Sequence, residues 1–185
     1  MRSFTGTEAI DVIEASEVWN RTVLEQSFDR LLATHGPSLA RLAATYTNTS
    51  SDRDDLLQEI AMALWQALPR FRGECSERTF LFRIAINRAM AYLARRRVHL
   101  VIEEGVEIQD PSPSPEAGLV EGQRVERLRG AIWRLPIAYR QAITLSLEGL
   151  DYREIAEVLG ISESNVGARL TRARQILRES WEKRQ

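Results

Sequence analysis

LDYREIAEVLGISESNVGARLTRAR, residues 150–174, predicts two short helices joined by a tight turn. Ile155, Ala156 and Leu159 give the first helix an apolar face, and Gly160 permits the left-handed backbone of the turn. The second helix carries an apolar stripe at helical spacing, formed by Val166, Leu170, Ala173 and Leu177. The stretch therefore predicts a helix-turn-helix.

The outer face of the second helix is rich in arginine. It comprises Asn165, Ala168, Arg169, Thr171, Arg172 and Arg174. A helix with such a face fits the major groove of DNA, where its side chains can reach base edges and phosphates. An ordinary helical hairpin with a solvated basic face has the same periodicity, so the pattern alone leaves both interpretations open.

Charge is segregated along the 185 residues, although the net charge is only −1. Residues 70–97 contain eight arginines and two acids, and residues 166–185 contain six bases and two acids. Between them, residues 98–123 contain six acids and no lysine or arginine. This distribution favours two nucleic-acid surfaces separated by an acidic spacer, although a solvated surface explains it too.

The clearest boundary in the chain is VIEEGVEIQDPSPSPEAG, residues 101–118. Alternating prolines and several acids disfavour a helix or a strand here and predict a flexible acidic linker. The predicted divisions are an N-terminal extension (1–24), an N-terminal domain (25–97), the linker (98–118) and a C-terminal domain (119–185).

Both halves have helical periodicity, so the predicted fold class is all-α, with two small helical domains. In the first half, Ser51 is predicted to cap a helix that stops at Pro69, and another helix runs from Ser76 to about Arg97. Two earlier helices are predicted on either side of a break at residues 35–37, His-Gly-Pro.

In the second half, a helix ends before Pro136, which is predicted to occupy the first turn of the next helix. Asp151 with Glu154, and then Ser162, are predicted to cap the two helices of the helix-turn-helix.

Composition excludes several classes of protein. No run approaches the ~20 apolar residues of a membrane span, and the N-terminus lacks the order of a secretory signal, so a cytoplasmic location is predicted. The single cysteine, Cys75, excludes an internal disulfide and a Cys-rich zinc site. Neither a phosphate-binding glycine loop, a metal-ligand cluster nor a nucleophile–base arrangement is found. We expect no enzyme activity, no cofactor, no metal and no small-molecule substrate.

Two blocks of the sequence resemble a known family. Residues 135–174, LPIAYRQAITLSLEGLDYREIAEVLGISESNVGARLTRAR, resemble the C-terminal domain of the extracytoplasmic-function (ECF) sigma factors. Residues 52–97, DRDDLLQEIAMALWQALPRFRGECSERTFLFRIAINRAMAYLARRR, resemble their N-terminal core domain. The resemblance implies a dissociable sigma subunit of bacterial RNA polymerase, which directs promoter recognition and DNA opening without catalysing a reaction.

The resemblance also implies the partners. They are the β′ and β subunits of core RNA polymerase, promoter DNA and an anti-sigma factor. Docking on the β′ subunit is assigned to the exposed face of the helix that follows Asp54, formed by Asp55, Gln58, Glu59 and Met62.

Recognition of the two promoter elements is assigned in the same way. By resemblance, the residues that capture the non-template strand of the −10 element are Phe71, Arg72, Arg83, Asn87, Arg88, Arg95, Arg96 and Arg97. Phe80 is expected to pack in the core instead. By resemblance, the outer face of the second helix described above binds the −35 element as duplex DNA. Gly167, Ala168 and Thr171 depart from the residues that are common in the family at these positions.

A stand-alone helix-turn-helix regulator is the alternative hypothesis. It accounts less well for two separate basic regions and for a near-neutral total charge, since a weak net field suits a protein whose DNA affinity depends on a partner.

Overall fold

A computed structural model of the protein describes the backbone of residues 6–102 and 120–182, and the side chains of residues 21–96 and 124–182. These parts of the chain form seven α-helices and no strand, which confirms the all-α fold class. The helices are α1 (Gly6–Ala44), α2 (Ser50–Ala67), α3 (Glu77–Ile102), α4 (Val120–Trp133), α5 (Ile137–Leu147), α6 (Tyr152–Leu159) and α7 (Glu163–Glu182).

Helices α1, α2 and α3 pack against one another around an apolar core and form what we call the N-terminal module. Leu42, Leu56 and Leu81 are completely buried there, one from each helix. The hydroxyl of Thr49 accepts a hydrogen bond from the Asp52 amide at 3.0 Å and caps α2. The prediction of Ser51 as this cap was wrong, because Thr49 starts the helix earlier and places Ser51 inside its first turn.

The predicted break at residues 35–37 is absent, since α1 continues through Pro37. An interior proline costs roughly 3 kcal/mol through its missing N–H and its ring. Leu31, Leu39 and Leu42 lie on one face on both sides of the proline, and each is at most 2% exposed. Burying such a side chain stabilises the protein by about 1.5–3 kcal/mol, so the continuous buried face outweighs the proline.

Helices α4 to α7 form the C-terminal module, in which α5 and α7 pack side by side and α6 lies against both. Leu145, Ile155 and Leu170 are completely buried at their junction. Pro136 directly precedes α5, with extended backbone, rather than occupying its first turn. The two modules touch, because α6 also packs against α3.

Two predicted boundaries lie within helices. Helix α1 begins inside the predicted N-terminal extension, and α3 runs past Arg97 to Ile102, into the predicted linker. The rest of the predicted linker, residues 103–118, lies outside the described residues, and its flexibility stays a prediction.

We expect Pro37→Ala to raise the free energy of unfolding by about 1–3 kcal/mol, because alanine restores a donor in an exposed part of α1. Gly36→Ala is the matched comparison, as a Cβ at that position meets nothing within 4 Å, and it should add at most ~1 kcal/mol. Urea denaturation measures both. A loss of stability in Pro37→Ala would contradict the interpretation that the proline weakens this helix.

Candidate nucleic-acid interface

The exposed face of α2 contains the four residues predicted to dock on polymerase. Asp55, Gln58 and Met62 are exposed, with Met62 at 56%. Glu59 is half-buried, and its carboxylate accepts two hydrogen bonds from Arg95 of α3, at 2.6 and 2.8 Å. The four side chains share one face because the opposite face of α2 is buried in the core.

An aromatic pair extends this face beyond the predicted residues. Trp65, one turn after Met62, is 38% exposed, and its ring lies nearly perpendicular to that of Phe28 from α1, with the centroids 5.3 Å apart. The sequence shows the helical spacing of Trp65 but not its contact with Phe28, which comes from another helix.

A cleft of about 740 Å³ lies where the segment after α2 meets the start of α3. It is lined by Pro69, Arg70, Phe71, Arg72, Glu74, Cys75, Phe80, Arg83 and Glu157. Gly73 has φ of 74°, a backbone conformation that side chains disfavour, and it lets the segment turn above the cleft. Three of the predicted −10 residues, Phe71, Arg72 and Arg83, are thereby brought together.

Two phenylalanine rings form an apolar wall of this cleft. Phe71 and Phe80 lie with their centroids 4.6 Å apart and their planes inclined by 34°. Phe82 is completely buried in the N-terminal module. The expectation that Phe80 belongs to the core was therefore only partly right: it packs on the core with one side and lines the cleft with the other.

The remaining predicted −10 residues are spread along α3. Asn87 and Arg88 are exposed on this helix beyond the cleft. Arg95 lies about 18 Å along the helix axis from Arg83 at 1.5 Å per residue, so the arginine cluster is separate from the cleft. The side chain of Arg97 lies outside the described residues.

Arg96 is held at the N-terminus of α2. It donates to Asp52 at 3.1 Å and to the Tyr92 hydroxyl at 2.8 Å. Partial burial opposes ionisation of Asp52, but the hydrogen bonds from Thr49 and Arg96 outweigh it and hold the pKa of this carboxyl below its usual value.

The helix-turn-helix is built as its sequence predicts. Asp151 and Glu154 exchange hydrogen bonds with each other's backbone amides at 2.8 and 3.0 Å, a complete capping box for α6. Gly160 ends that helix in the left-handed conformation, at φ 65°. The hydroxyl of Ser162 accepts a hydrogen bond from the Asn165 amide at 3.3 Å at the start of α7.

The outer face of α7 presents the predicted −35 residues. Val166, Leu170 and Ala173 are completely buried, and this fixes the rotation of the helix. The exposed residues are Asn165, Ala168, Thr171, Arg172 and Arg174, while Arg169 is half-buried.

Other chemistry is not evident in the described part of the chain. It holds no group of three His, Cys, Asp or Glu residues that could bind a metal ion. None of its helices combines the length and apolar character that crossing a bilayer requires.

Two protein families match the chain, one for each module. Sigma-70 region 2 matches residues 31–98, and Sigma-70, region 4 matches residues 126–177. The RNA polymerase sigma factor NccH of Alcaligenes xylosoxydans xylosoxydans is 31% identical over 159 residues, covering 83% of this chain and 86% of that protein. The ECF RNA polymerase sigma-E factor of Escherichia coli (strain K12) is 31% identical over 168 residues, covering 83% and 85%. The chain belongs to the ECF sigma factors of the sigma-70 family.

Solved structures agree with this assignment. CnrH, solved in complex with the cytosolic domain of CnrY, is 29% identical, with a TM-score of 0.64 over 86% of this chain and 90% of that one. The sigma factor RpoE from Bartonella quintana, solved in complex with the anti-sigma factor NepR, has a TM-score of 0.71 over 85% and 98%. At 23% identity, the second likeness concerns the fold alone.

As an ECF sigma factor, the chain is a non-catalytic subunit of transcription initiation that works with core RNA polymerase and promoter DNA. The comparisons support this function over that of a stand-alone regulator.

The turn glycine and a helix glycine of this site should respond oppositely to alanine. Gly160→Ala forces a left-handed alanine and should lower the free energy of unfolding by about 1–2 kcal/mol. Gly167→Ala places a Cβ 3.5 Å from the Tyr152 ring, which is an ordinary contact. Because alanine has the higher helix propensity, this change should raise the free energy of unfolding by up to ~1 kcal/mol. Thermal or urea unfolding measures both, and equal signs would contradict the assigned backbone geometry.

Proposed function

We propose that this sigma factor uses three separate surfaces, one for polymerase and two for promoter DNA. Residues 25–97 would form the domain that docks on polymerase and recognises the −10 element, and residues 119–185 the domain that recognises the −35 element. The observations that support this most are that the predicted residues of α2 and α7 lie on faces opposite buried cores, and that Phe71, Arg72 and Arg83 meet at one cleft. A sigma subunit acts where the polymerase and the genome are, so we place it in the cytoplasm.

The α2 face is proposed to bind the β′ subunit. Asp55 and Gln58 offer polar and acidic groups, while Met62 offers an apolar group that is more than half exposed. A helical partner with basic and apolar side chains complements this combination. Trp65 adds a rigid aromatic group at the end of the same face, the type of side chain that often anchors protein interfaces.

The cleft is proposed to hold an unpaired base of the −10 element. Phe71 and Phe80 offer aromatic surface for stacking, which stabilises a bound base by about 1–3 kcal/mol and offsets the loss of its duplex stacking. Arg72 and Arg83 at the rim can contact phosphates. Asn87 and Arg88 extend the path of the strand along α3.

The exposed face of α7 is proposed to enter the major groove at the −35 element. Arg172 and Arg174 are exposed on this face, and Arg169 is half-buried. Such arginines can fork onto guanine or contact phosphates. Ala168 and the methyl group of Thr171 are exposed on the same face and can make apolar contacts with the methyl groups of thymine.

An anti-sigma factor is proposed as a further partner. CnrH is solved with the cytosolic domain of CnrY, and RpoE of B. quintana with the anti-sigma factor NepR. The support for carrying this over is the likeness of this chain to CnrH, at 29% identity over most of both chains.

Run-off transcription with core polymerase tests the docking surface. The wild-type chain with core polymerase should initiate transcription at specific promoters. In Asp55→Arg, the affinity for core polymerase should fall about tenfold or more, as expected when like charges replace complementary ones. Glu182→Arg makes the same change in net charge at an exposed residue of the other module and should leave association unchanged. Equal effects of the two variants would remove Asp55 from the interface.

Holoenzyme binding to promoter duplex tests the α7 surface. Arg172→Ala should reduce affinity about 5- to 150-fold, the range of ~1–3 kcal/mol for a good arginine contact, and only on promoters that carry the −35 element. Arg178→Ala removes an exposed arginine of the same helix that lies outside the predicted face. The assignment of the face is wrong if Arg178→Ala has the larger effect.

A further inference from the structure

A short network of hydrogen bonds runs along the exposed side of α7. Nη1 of Arg172 donates to Oε1 of Gln175 at 2.9 Å, and Nε2 of Gln175 donates to Oε1 of Glu179 at 2.9 Å. Spacings of three and four residues place the three side chains on one face of the helix, and all three are exposed. We call these three side chains the α7 network. It begins at a predicted −35 residue and runs toward the C-terminal end of the helix.

Gln175 lies on the same side of α7 as the predicted −35 residues. The stretch from Val166 to Gln175 makes about two and a half turns, so Gln175 is directed away from that completely buried valine. On the helix surface it neighbours Thr171 and Arg172. Gln175 is not among the predicted −35 residues, because nothing in the sequence distinguishes it from an ordinary surface glutamine.

Glu179 determines the orientation of the Gln175 amide. An ionised carboxylate can only accept hydrogen bonds, so the NH₂ group of Gln175 faces Glu179 and its carbonyl oxygen faces Arg172. The reversed amide would set its oxygen against the carboxylate and its NH₂ group against the guanidinium, and both hydrogen bonds would be lost. Glu179 therefore keeps an acceptor in a defined position for Arg172.

The hydrogen bond to Gln175 leaves one edge of the Arg172 guanidinium free. Nε and Nη2 have no hydrogen-bond partner among the residues that the structure describes. The N–H groups of these two atoms point in parallel, and such a pair of donors matches the O6 and N7 acceptors of guanine in the major groove. The network therefore holds Arg172 by the nitrogen that this bidentate contact does not need.

Arg172 differs in this respect from the other arginines of the predicted −35 face. Within the described part of the chain, the side chains of Arg169 and Arg174 have no hydrogen bond or ion pair. The direct partner of Arg172 is a neutral amide, with the carboxylate of Glu179 one step further away, so the positive charge stays available to DNA. A side chain that is already held also loses less rotamer freedom when it binds.

We propose that Gln175, oriented by Glu179, is a positioning residue that holds Arg172 for a bidentate contact with a guanine of the −35 element. The inference deepens the proposed role of the α7 face and rests on it. It assigns base discrimination to Arg172 and sequence-independent phosphate contacts to Arg169 and Arg174, which no neighbouring side chain holds.

The test measures base discrimination by the holoenzyme on a promoter duplex from which the wild-type holoenzyme initiates transcription. Each guanine of the −35 element is replaced in turn by adenine, which presents an amino donor in place of O6. The ratio of the affinities for the guanine and adenine duplexes gives the discrimination at each position. Arg172→Ala identifies the position that Arg172 contacts, because discrimination is lost there.

Gln175→Met keeps the length of the side chain and a high helix propensity but removes the acceptor. At the position that Arg172 contacts, we expect discrimination to fall about threefold to tenfold, because a free Arg172 loses more rotamer freedom on binding. Binding to a duplex without the −35 element should stay unchanged, which a merely structural role of Gln175 would not predict.

An exchange of the two partners is the matched control. In Gln175→Glu combined with Glu179→Gln, the carboxylate at position 175 accepts from both Arg172 and the amide at position 179, and the net charge is unchanged. This variant should retain the discrimination of the wild type. In the background of Arg172→Ala, Gln175→Met should have no further effect, because the two residues act as one unit.

Two results would overturn the inference while leaving the α7 face in its proposed role. One is unchanged discrimination in Gln175→Met. The other is an equal effect of Gln175→Met with and without Arg172, which would mean that Gln175 contacts DNA itself. Failure of the proposed function would appear differently, as full discrimination by Arg172→Ala at every guanine, and the inference would then fail with it.

Discussion

Helices α2 and α7 each bury one apolar stripe, and that burial determines which side chains remain available to partners. Leu56, Ile60 and Leu64 are completely buried in α2, each worth about 1.5–3 kcal/mol relative to exposure. A surface ion pair contributes about 0–1 kcal/mol. Rotating α2 to pair its exposed charges would lose the free energy of burying this stripe, which is far larger than the free energy gained from surface ion pairs. The orientation of the docking face therefore follows from the core. In α7 the same argument applies to Leu170 and the arginines opposite it.

Local physics explains what could be predicted from the sequence. The capping box of Asp151, the left-handed turn at Gly160 and the apolar stripes depend on residues within a few positions of one another, and all are present as predicted. The outward placement of the α2 and α7 residues followed from the same helical period. Their binding roles remain predictions, because they come from the family resemblance and not from geometry.

Tertiary contacts explain what could not be predicted. Pro37 is a correct local signal for a helix break, but burial on both sides of it keeps α1 continuous. The side of Phe80 that lines the cleft depends on Phe71, which reaches it through an irregular segment. The side chains of Arg41 and Glu148 are hydrogen-bonded although they are 107 positions apart, and no periodicity connects them. Such pairings arise only when the modules meet.

Two arginines of the proposed −10 surface are paired with acids of the same chain. Arg95 pairs with Glu59 and Arg96 with Asp52, and all four side chains keep contact with solvent. Partly exposed pairs of this kind are weak, so phosphates can replace the acids with little loss. The chain keeps a net charge of −1 because 26 acidic residues balance 25 basic ones, and it thereby avoids the strong non-specific DNA affinity of a basic protein.

Helix α6 connects the two modules. It packs against α7 on one side and meets α3 on the other, so the helix that supports the proposed −35 surface also contacts the helix that carries Arg83 of the proposed −10 surface. The side chains of Asp55, Gln58 and Met62 on α2 are exposed in the same arrangement, so the proposed docking face is accessible while the two modules are in contact.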